Sequence, residues 1–100
     1  MANVSIRNDP DRAEHVATVL RAIAHPLRVR IVATLCKAEQ HVSALAEELD
    51  APQAIVSQQL RILRAERLVE ARREDGHAYY RIAEPALRDL VCCMEKCRAA

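Results

Sequence analysis

The apolar residues of this chain recur at helical spacing through most of its length, and this pattern predicts five helices. Asp9-Pro10-Asp11 favours the start of the first helix, because acids and a proline suit a first turn. His25-Pro26 begins the second, Ser43 is placed to cap the third, "DAP" at 50–52 is the turn before the fourth, and Pro85 begins the last. The apolar stripes of these helices comprise Val16, Val19, Leu20 and Ile23, then Leu27, Ile31 and Leu35, then Leu45 and Leu49, then Val56, Leu60 and Leu63, and finally Leu87, Leu90, Val91 and Met94.

The apolar period shortens to that of a strand within residues 68–83, "LVEARREDGHAYYRIA". A strand pattern on each side of Asp75-Gly76 predicts a β-hairpin, because this dipeptide suits a tight turn. Helix, short turn, helix and hairpin in this order are typical of a winged helix-turn-helix. The predicted fold is therefore mainly α with a two-stranded β wing, in which residues 1–8 form an N-terminal arm and residues 9–100 form one DNA-binding and sensor domain.

The fourth predicted helix carries a polar face opposite its apolar stripe. Gln, Ser and Arg side chains bond base edges or phosphates. On an isolated helix such a face is more often simply solvated, but a basic hairpin follows here, and its cations suit the DNA backbone or the minor groove. DNA binding is therefore the better interpretation. The predicted base-contacting residues are Gln53, Ser57, Gln58 and Arg61, and the predicted wing contacts are Arg72, Arg73 and His77.

Composition narrows the class of protein. Hydrophobic residues make up 51% of the 100-residue chain, yet it has no Phe and no Trp, and its net charge is only +1. A thin aliphatic core of this kind favours stabilisation by a second chain. The sequence shows no signal peptide, no membrane-spanning run, no Gly-rich phosphate loop and no catalytic arrangement of residues. We therefore expect a cytoplasmic protein that is not an enzyme.

The chain resembles the ArsR/SmtB repressors, a family of bacterial winged-helix dimers that sense metals and metalloids. The resemblance rests on "AIAHPLRVRIVATL" (22–35), "VSALAEEL" (42–49), "QAIVSQQLRILRAERLVEARREDGHAYYRI" (53–82) and "AEPALRDL" (83–90). It implies a homodimer assembled through the first and last helices, repression at double-stranded operator DNA, and release of that DNA when an inducer binds. Two features differ from the family pattern. Pro52 stands where a serine often caps the recognition helix, and the hairpin tip Glu74-Asp75-Gly76 is acidic, so phosphate contacts are expected from its flanks.

Three of the four cysteines lie close together in "VCCMEKC" at 91–97. Other family sensor sites are missing, since His41-Val42-Ser43 replaces a cysteine pair and the last helix lacks the histidines of a zinc site. Three thiolates suit a soft, thiophilic centre such as trivalent arsenic or antimony. Some arsenic-responsive members of the family are similar in carrying a Cys-Cys pair and a further cysteine on the last helix. The predicted inducer is trivalent arsenic, with antimony also acceptable, bound by Cys92, Cys93 and Cys97.

Geometry gives this prediction a mechanism and leaves alternatives open. On an ideal helix Cys93 and Cys97 lie one turn apart on one face, whereas Cys92 is about 100° from Cys93, so binding by all three would distort the last turn. The distortion would reach the predicted dimer interface. Alternatively, the cysteines are small buried interface residues, or the repressor senses oxidants or persulfides through Cys36 and Cys97. A metallochaperone would explain the thiols but not the polar helix face or the hairpin.

Overall fold

The computed structural model describes residues 5–96, which form five α-helices and a three-stranded antiparallel sheet. A 3-10 turn at Ile6–Asn8 precedes the helices α1 (Pro10–Ile23), α2 (Pro26–Leu35), α3 (Val42–Leu49), α4 (Gln53–Ala65) and α5 (Pro85–Met94), and the strands are β1 (Gln40–His41), β2 (Val69–Glu74) and β3 (His77–Ile82). The predicted fold class is confirmed, with β2 and β3 as the wing. Sequence analysis did not predict β1, whose two residues pair with Tyr79 and Tyr80 on the outer side of β3. The separation of an arm at residues 1–8 stays a prediction.

The helix starts follow their capping chemistry, with one correction. Asp9 caps α1 as predicted, and its Oδ1 accepts from the Arg12 N–H at 3.1 Å. The prediction that Ser43 caps α3 was wrong, because His41 is the N-cap and its Nδ1 accepts from the Ala44 N–H at 3.2 Å. His41 ends the extended strand β1, and this places its imidazole beside the first free amides of the helix. Ser43 is instead in the first turn, with its hydroxyl 2.8 Å from the same Nδ1.

Left-handed residues end both helices of the helix-turn-helix. Asp50 has a φ of 52°, and the Ala51 N–H returns to the Ala46 carbonyl at 3.0 Å. At the end of α4, Arg67 has a φ of 61°, and the Leu68 N–H returns to the Leu63 carbonyl at 3.0 Å. Both are the backbone pattern that closes a helix with a left-handed residue, usually glycine. The left-handed conformation of Arg67 ends α4 at Ala65, although the apolar spacing continues to Leu68.

The apolar stripes of α2, α3 and α4 meet in the core, whereas those of α1 and α5 are only half covered. Fully buried side chains comprise Ile31, Val32, Leu35, Leu45, Val56, Leu60, Leu63, Val69 and Leu87. By contrast, Leu20 on α1 is 46% exposed and Met94 on α5 is 55% exposed. The stripe of each terminal helix therefore extends beyond what one chain covers. None of the helices between residues 5 and 96 is long and apolar enough to cross a membrane.

Candidate DNA-binding surface and thiol site

The polar face of α4 is open to solvent. Gln53, Gln58 and Arg61 are exposed and Ser57 is half-buried, while the apolar stripe on the other side is buried. Since successive helical residues turn by about 100°, Gln58 and Arg61 lie near the centre of this face, and Gln53 and Ser57 lie along one edge. The structure thus brings the four predicted base-contacting side chains onto one surface. Their contact with DNA stays a prediction.

The start of α4 has no side-chain cap, as the proline at this position implied. Pro52 occupies the N-cap, and its carbonyl accepts from the amides of Ile55 and Val56 at 3.0 and 3.1 Å. The amides of Gln53 and Ala54 precede these bonds and have no partner within the helix. These two N–H groups point out of the start of the helix, where a phosphate oxygen would accept hydrogen bonds from them.

The inner edge of α4 carries a buried glutamine that sequence analysis missed. Gln59 is only 9% exposed, and its Oε1 accepts from Nη1 of Arg28 on α2 at 2.9 Å. The Nε atom of Arg28 is also buried and has no hydrogen-bond partner among the described residues. The spacing of Gln59 from Val56 and Leu63 places it on the buried side of the helix, so its burial could be predicted from the sequence. Its partner, Arg28, could not.

The wing hairpin has the predicted turn and a continuous register. β2 and β3 pair from Val69 opposite Ile82 to Glu74 opposite His77. Asp75 and Gly76 connect them with φ values of 52° and 80°, the double left-handed geometry that suits a two-residue hairpin. The predicted hairpin is therefore confirmed.

The two wing arginines have different surroundings. The Nε of Arg72 lies 2.8 Å from a carboxylate oxygen of Glu39, its Nη1 bonds Glu74, and its guanidinium carbon lies 5.1 Å from the ring centre of Tyr79. The hydrogen bonds to Glu74 and Glu39 raise the pKa of Arg72, so this side chain stays positively charged. Two carboxylates nevertheless offset that charge. Arg73 is exposed on the other face of β2 and makes no ion pair within residues 5–96.

Strand β1 brings two histidines together beside the hairpin turn of the wing. The rings of His41 and His77 stack with their centres 5.4 Å apart and their planes 29° apart, and Tyr79 presents its ring edge-on to both. Sequence analysis missed this cluster because the histidines are far apart in the chain and the short strand that joins them was not predicted. His77 therefore lies beside the capping residue of α3, as well as on the predicted wing surface.

Cys36 lies where α2 packs against α5. Cys36 follows the end of α2, is half-buried against the core, and its carbonyl accepts from Nη1 of Arg88 at 2.8 Å. Burial raises the pKa of the Cys36 thiol, the charge of Arg88 counteracts part of this increase, and Cys92 and Glu95 add to it. Residues 88, 92 and 95 are spaced as neighbours along one helix face. The hydrogen bond from Arg88 to the Cys36 carbonyl sets the end of α2 against the face of α5 on which Cys92 follows one turn later.

The predicted three-cysteine site is only partly described. Cys92 and Cys93 are exposed, whereas Cys97 lies outside the described residues. Among residues 5–96, no group of three or more histidine, cysteine, aspartate or glutamate side chains is arranged to hold a metal ion. Binding of arsenic or antimony by Cys92, Cys93 and Cys97 stays a prediction.

An apolar groove runs between α1 and α5. Its floor is aliphatic, and His15 and Glu84 stand at its rim. The groove is lined by His15, Val16, Val19, Leu20, Glu84, Ala86, Leu87 and Leu90. The groove is part of the incompletely covered apolar surface of the two terminal helices.

Comparison with known proteins assigns this architecture to a family. The profile described as "Bacterial regulatory protein, arsR family" matches residues 25–71, from the start of α2 into β2. The biofilm growth-associated repressor of Agrobacterium fabrum is 40% identical over 80 residues, which cover 80% of this chain and 68% of that protein. The chain belongs to the ArsR family. As an ArsR-family member, it is a DNA-binding transcriptional repressor and not an enzyme.

Solved structures agree with the assignment to the ArsR family. The transcriptional repressor BigR from Xylella fastidiosa superposes with a TM-score of 0.85 at 32% identity, covering 96% of this chain and all of that one. Mb0332 from Mycobacterium bovis, described as a homodimeric winged helix-turn-helix DNA-binding domain, gives a TM-score of 0.76 at 34% identity, covering 95% of this chain and 87% of that one. The winged helix-turn-helix fold of this ArsR-family chain is therefore shared along nearly its whole length.

Proposed function

We propose that this repressor is a cytoplasmic homodimer whose hold on operator DNA is controlled by thiol chemistry between α2 and α5. The observation that supports the proposal is the packing of α2 against α5, where the Cys36 carbonyl accepts from Nη1 of Arg88, one helical turn before Cys92. One cysteine of the pair is half-buried and the other is exposed. An oxidant therefore has access to Cys92, and Cys36 supplies the second thiol of a disulfide.

Operator binding is assigned to α4 and the wing. Gln58 and Arg61 face outward from the centre of the polar face of α4. The major groove of DNA is wide enough to admit a helix, so these side chains are placed to reach base edges. Gln53 and Ser57 extend the same surface toward the start of the helix, near the backbone N–H groups that have no partner within the helix. The wing supplies Arg73 and His77 for the DNA backbone, and Arg72 contributes less because Glu39 and Glu74 offset its charge.

Dimer formation is assigned to α1 and α5. The groove between them is apolar, and Leu20 is 46% exposed beside it. A second copy would remove this surface from water, which favours association. The related Mb0332 domain is described as homodimeric, which supports a dimer of this chain as well.

The proposed switch is a disulfide between Cys36 and Cys92. Both thiols are oxidised, their two electrons and two protons reduce one hydrogen peroxide to two waters, and a sulfur–sulfur bond joins the end of α2 to α5. Disulfide geometry requires the two Cα atoms to approach within about 7 Å, so α5 is drawn against α2. Because α5 also carries the proposed dimer contact, this movement changes the angle between the two recognition helices. A coupling of about 1–3 kcal/mol, which is about 5–150-fold in DNA affinity, is usual for such switches.

Metalloid binding is the second candidate. Cys92 and Cys93 are exposed on α5, and with Cys97 they supply three sulfurs of the kind that trivalent arsenic or antimony prefers. The angle of about 100° between neighbouring helical residues means that this site would require α5 to unwind near its end. In that case Cys36 has no part in the response.

Operator release distinguishes the two candidates. Complexes of the protein with a labelled duplex that it has selected are titrated with arsenite, antimonite, zinc, cadmium, a persulfide donor and hydrogen peroxide. The proteins compared are the reduced wild type and the four variants in which Cys36, Cys92, Cys93 or Cys97 is replaced by serine. The disulfide proposal expects release by peroxide or persulfide that is lost in Cys36→Ser and Cys92→Ser but kept in Cys93→Ser. Release by arsenite that persists in Cys36→Ser and disappears in Cys93→Ser and Cys97→Ser would establish the metalloid candidate instead.

A further inference from the structure

One hydrogen bond joins α2 to the recognition helix inside an otherwise aliphatic contact. Arg28 donates from Nη1 to Oε1 of Gln59 at 2.9 Å. Around this bond, α2 and α4 meet through buried aliphatic side chains such as Ile31 and Leu63. Aliphatic contacts are non-directional, whereas a hydrogen bond weakens steeply when its angle changes. The bond therefore restricts the rotation of α4 about its own axis more than the surrounding contacts do.

That rotation determines where the base-contacting side chains lie. Gln58 precedes Gln59 directly, and the two side chains leave the helix about 100° apart. Since the surface of a helix lies about 5–6 Å from its axis, a rotation of about 10° moves a surface atom by about 1 Å. Such a movement is too large for a paired hydrogen bond to a base edge, whose distances vary by only a few tenths of an ångström.

The surroundings of Arg28 suggest a role beyond filling space. Arg28 makes no ion pair within residues 5–96, and its Nε is buried without a partner there. A buried donor without a partner is unfavourable, so an aliphatic residue would fill this position at lower cost. The guanidinium is instead directed at the amide oxygen of Gln59 in the middle of the recognition helix.

We infer that Arg28 is a positioning residue for DNA recognition, which fixes the rotation of α4 through Gln59 and so determines how sharply the repressor discriminates between base sequences. Neither Arg28 nor Gln59 is part of the outward, base-contacting face of α4. The role belongs to the DNA-bound state and is the same whichever inducer releases the operator.

The test measures discrimination between sequences as well as affinity. Duplexes selected from a random library by the wild-type protein are compared with single-base-pair variants and with an unrelated duplex, by fluorescence anisotropy at one salt concentration. In Arg28→Ala, affinity for the selected duplex should fall about tenfold, as expected when one base contact is misaligned. Affinity for the unrelated duplex, which depends on phosphate contacts, should not change.

Arg30→Ala is the matched control. Arg30 lies on the same helix and carries the same charge, but its Nη2 donates to the Leu49 carbonyl at the end of α3, at 3.0 Å. The Arg30→Ala variant should be less stable than the wild type but should discriminate between duplexes equally well. An equal loss of discrimination in both variants would mean that removal of charge from α2, and not the bond to Gln59, is responsible.

Two variants of Gln59 keep the inference testable if Arg28→Ala does not fold. Gln59→Glu retains an acceptor for Arg28 and should keep nearly full discrimination. Gln59→Leu has a similar volume and suits the buried position, but it removes the bond and should lose discrimination as Arg28→Ala does. A folded Gln59→Leu protein that discriminates between duplexes as well as the wild type would overturn the inference.

Discussion

Arg72 on β2 lies directly across the strand pair from Tyr79 on β3, with its guanidinium carbon 5.1 Å from the centre of the tyrosine ring. Glu39 and Glu74 bond the same guanidinium. The most basic stretch of the wing thus contains one arginine that is held by neighbouring side chains and one, Arg73, that is exposed on the opposite face.

This difference predicts unequal roles for the two arginines in DNA binding. Arg73→Ala should weaken binding to all duplexes alike and should reduce the slope of log affinity against log salt concentration by about one, because one phosphate contact is lost. Arg72→Ala should have a smaller effect, since two carboxylates already offset its charge. Titrations at several salt concentrations measure both slopes. Equal changes in the two variants would show that DNA binding opens the ion pairs of Arg72.

The cap on α3 predicts a specific loss of stability. His41→Ala removes the acceptor for the Ala44 amide and should lower the free energy of unfolding by about 1 kcal/mol. His41→Asn keeps a capping acceptor but loses the ring that stacks on His77, so it separates the two contributions. Urea denaturation followed by circular dichroism measures each change. If the asparagine variant loses as much as the alanine variant, stacking and not capping is the important contact.

The environment of Cys36 predicts the pH dependence of its reactivity. Because the thiolate is the reactive form and burial raises the pKa of the Cys36 thiol, its alkylation should require a higher pH than that of an unstructured cysteine peptide. Arg88 acts against this increase, so Arg88→Gln should shift the alkylation profile to still higher pH. Iodoacetamide labelling followed by mass spectrometry gives the profile. A profile that does not move in Arg88→Gln would mean that the charge of Arg88 does not reach the thiol.

The groove between α1 and α5 predicts a way to separate the proposed dimer. Leu20→Glu places a charge on exposed apolar surface beside the groove, and it should convert the protein to monomers with unchanged helix content. Ile55→Glu is the control, since Ile55 is 43% exposed on α4, away from this groove. Sedimentation velocity measures the oligomeric state. A Leu20→Glu protein that remains dimeric would place the interface elsewhere.

Local signals were sufficient to predict the framework of the fold. Asp9-Pro10 begins α1, Pro26 begins α2, Pro85 begins α5, and Asp75-Gly76 forms the hairpin turn, as the sequence indicated. Each depends on residues that are neighbours in the chain. The end of α4 at Ala65 has no such signal, because Arg67 adopts a left-handed conformation that usually belongs to glycine.

Contacts between distant residues were not predictable in the same way. The stacking of His41 on His77 depends on β1, which has only two residues and no periodicity to detect. The bond between Arg28 and Gln59 requires the angle between two helices, and apolar spacing does not supply that angle. The approach of Cys36 to the face of α5 that bears Cys92 likewise follows from the packing of α2 on α5. The pairing of Cys36 with Cys97, which lies outside the described residues, stays a prediction.

The strand order β1-β3-β2 also limits how two copies can join. Strand β3 is covered on both sides, β1 offers an edge of only two residues, and β2 carries four charged side chains in its sequence VEARRE. A neighbouring chain that added a strand there would have to fit its own backbone among fixed charges, an arrangement that discourages uncontrolled polymerisation. Self-association is thereby directed away from the wing, which leaves the hairpin open for the DNA contact proposed for it.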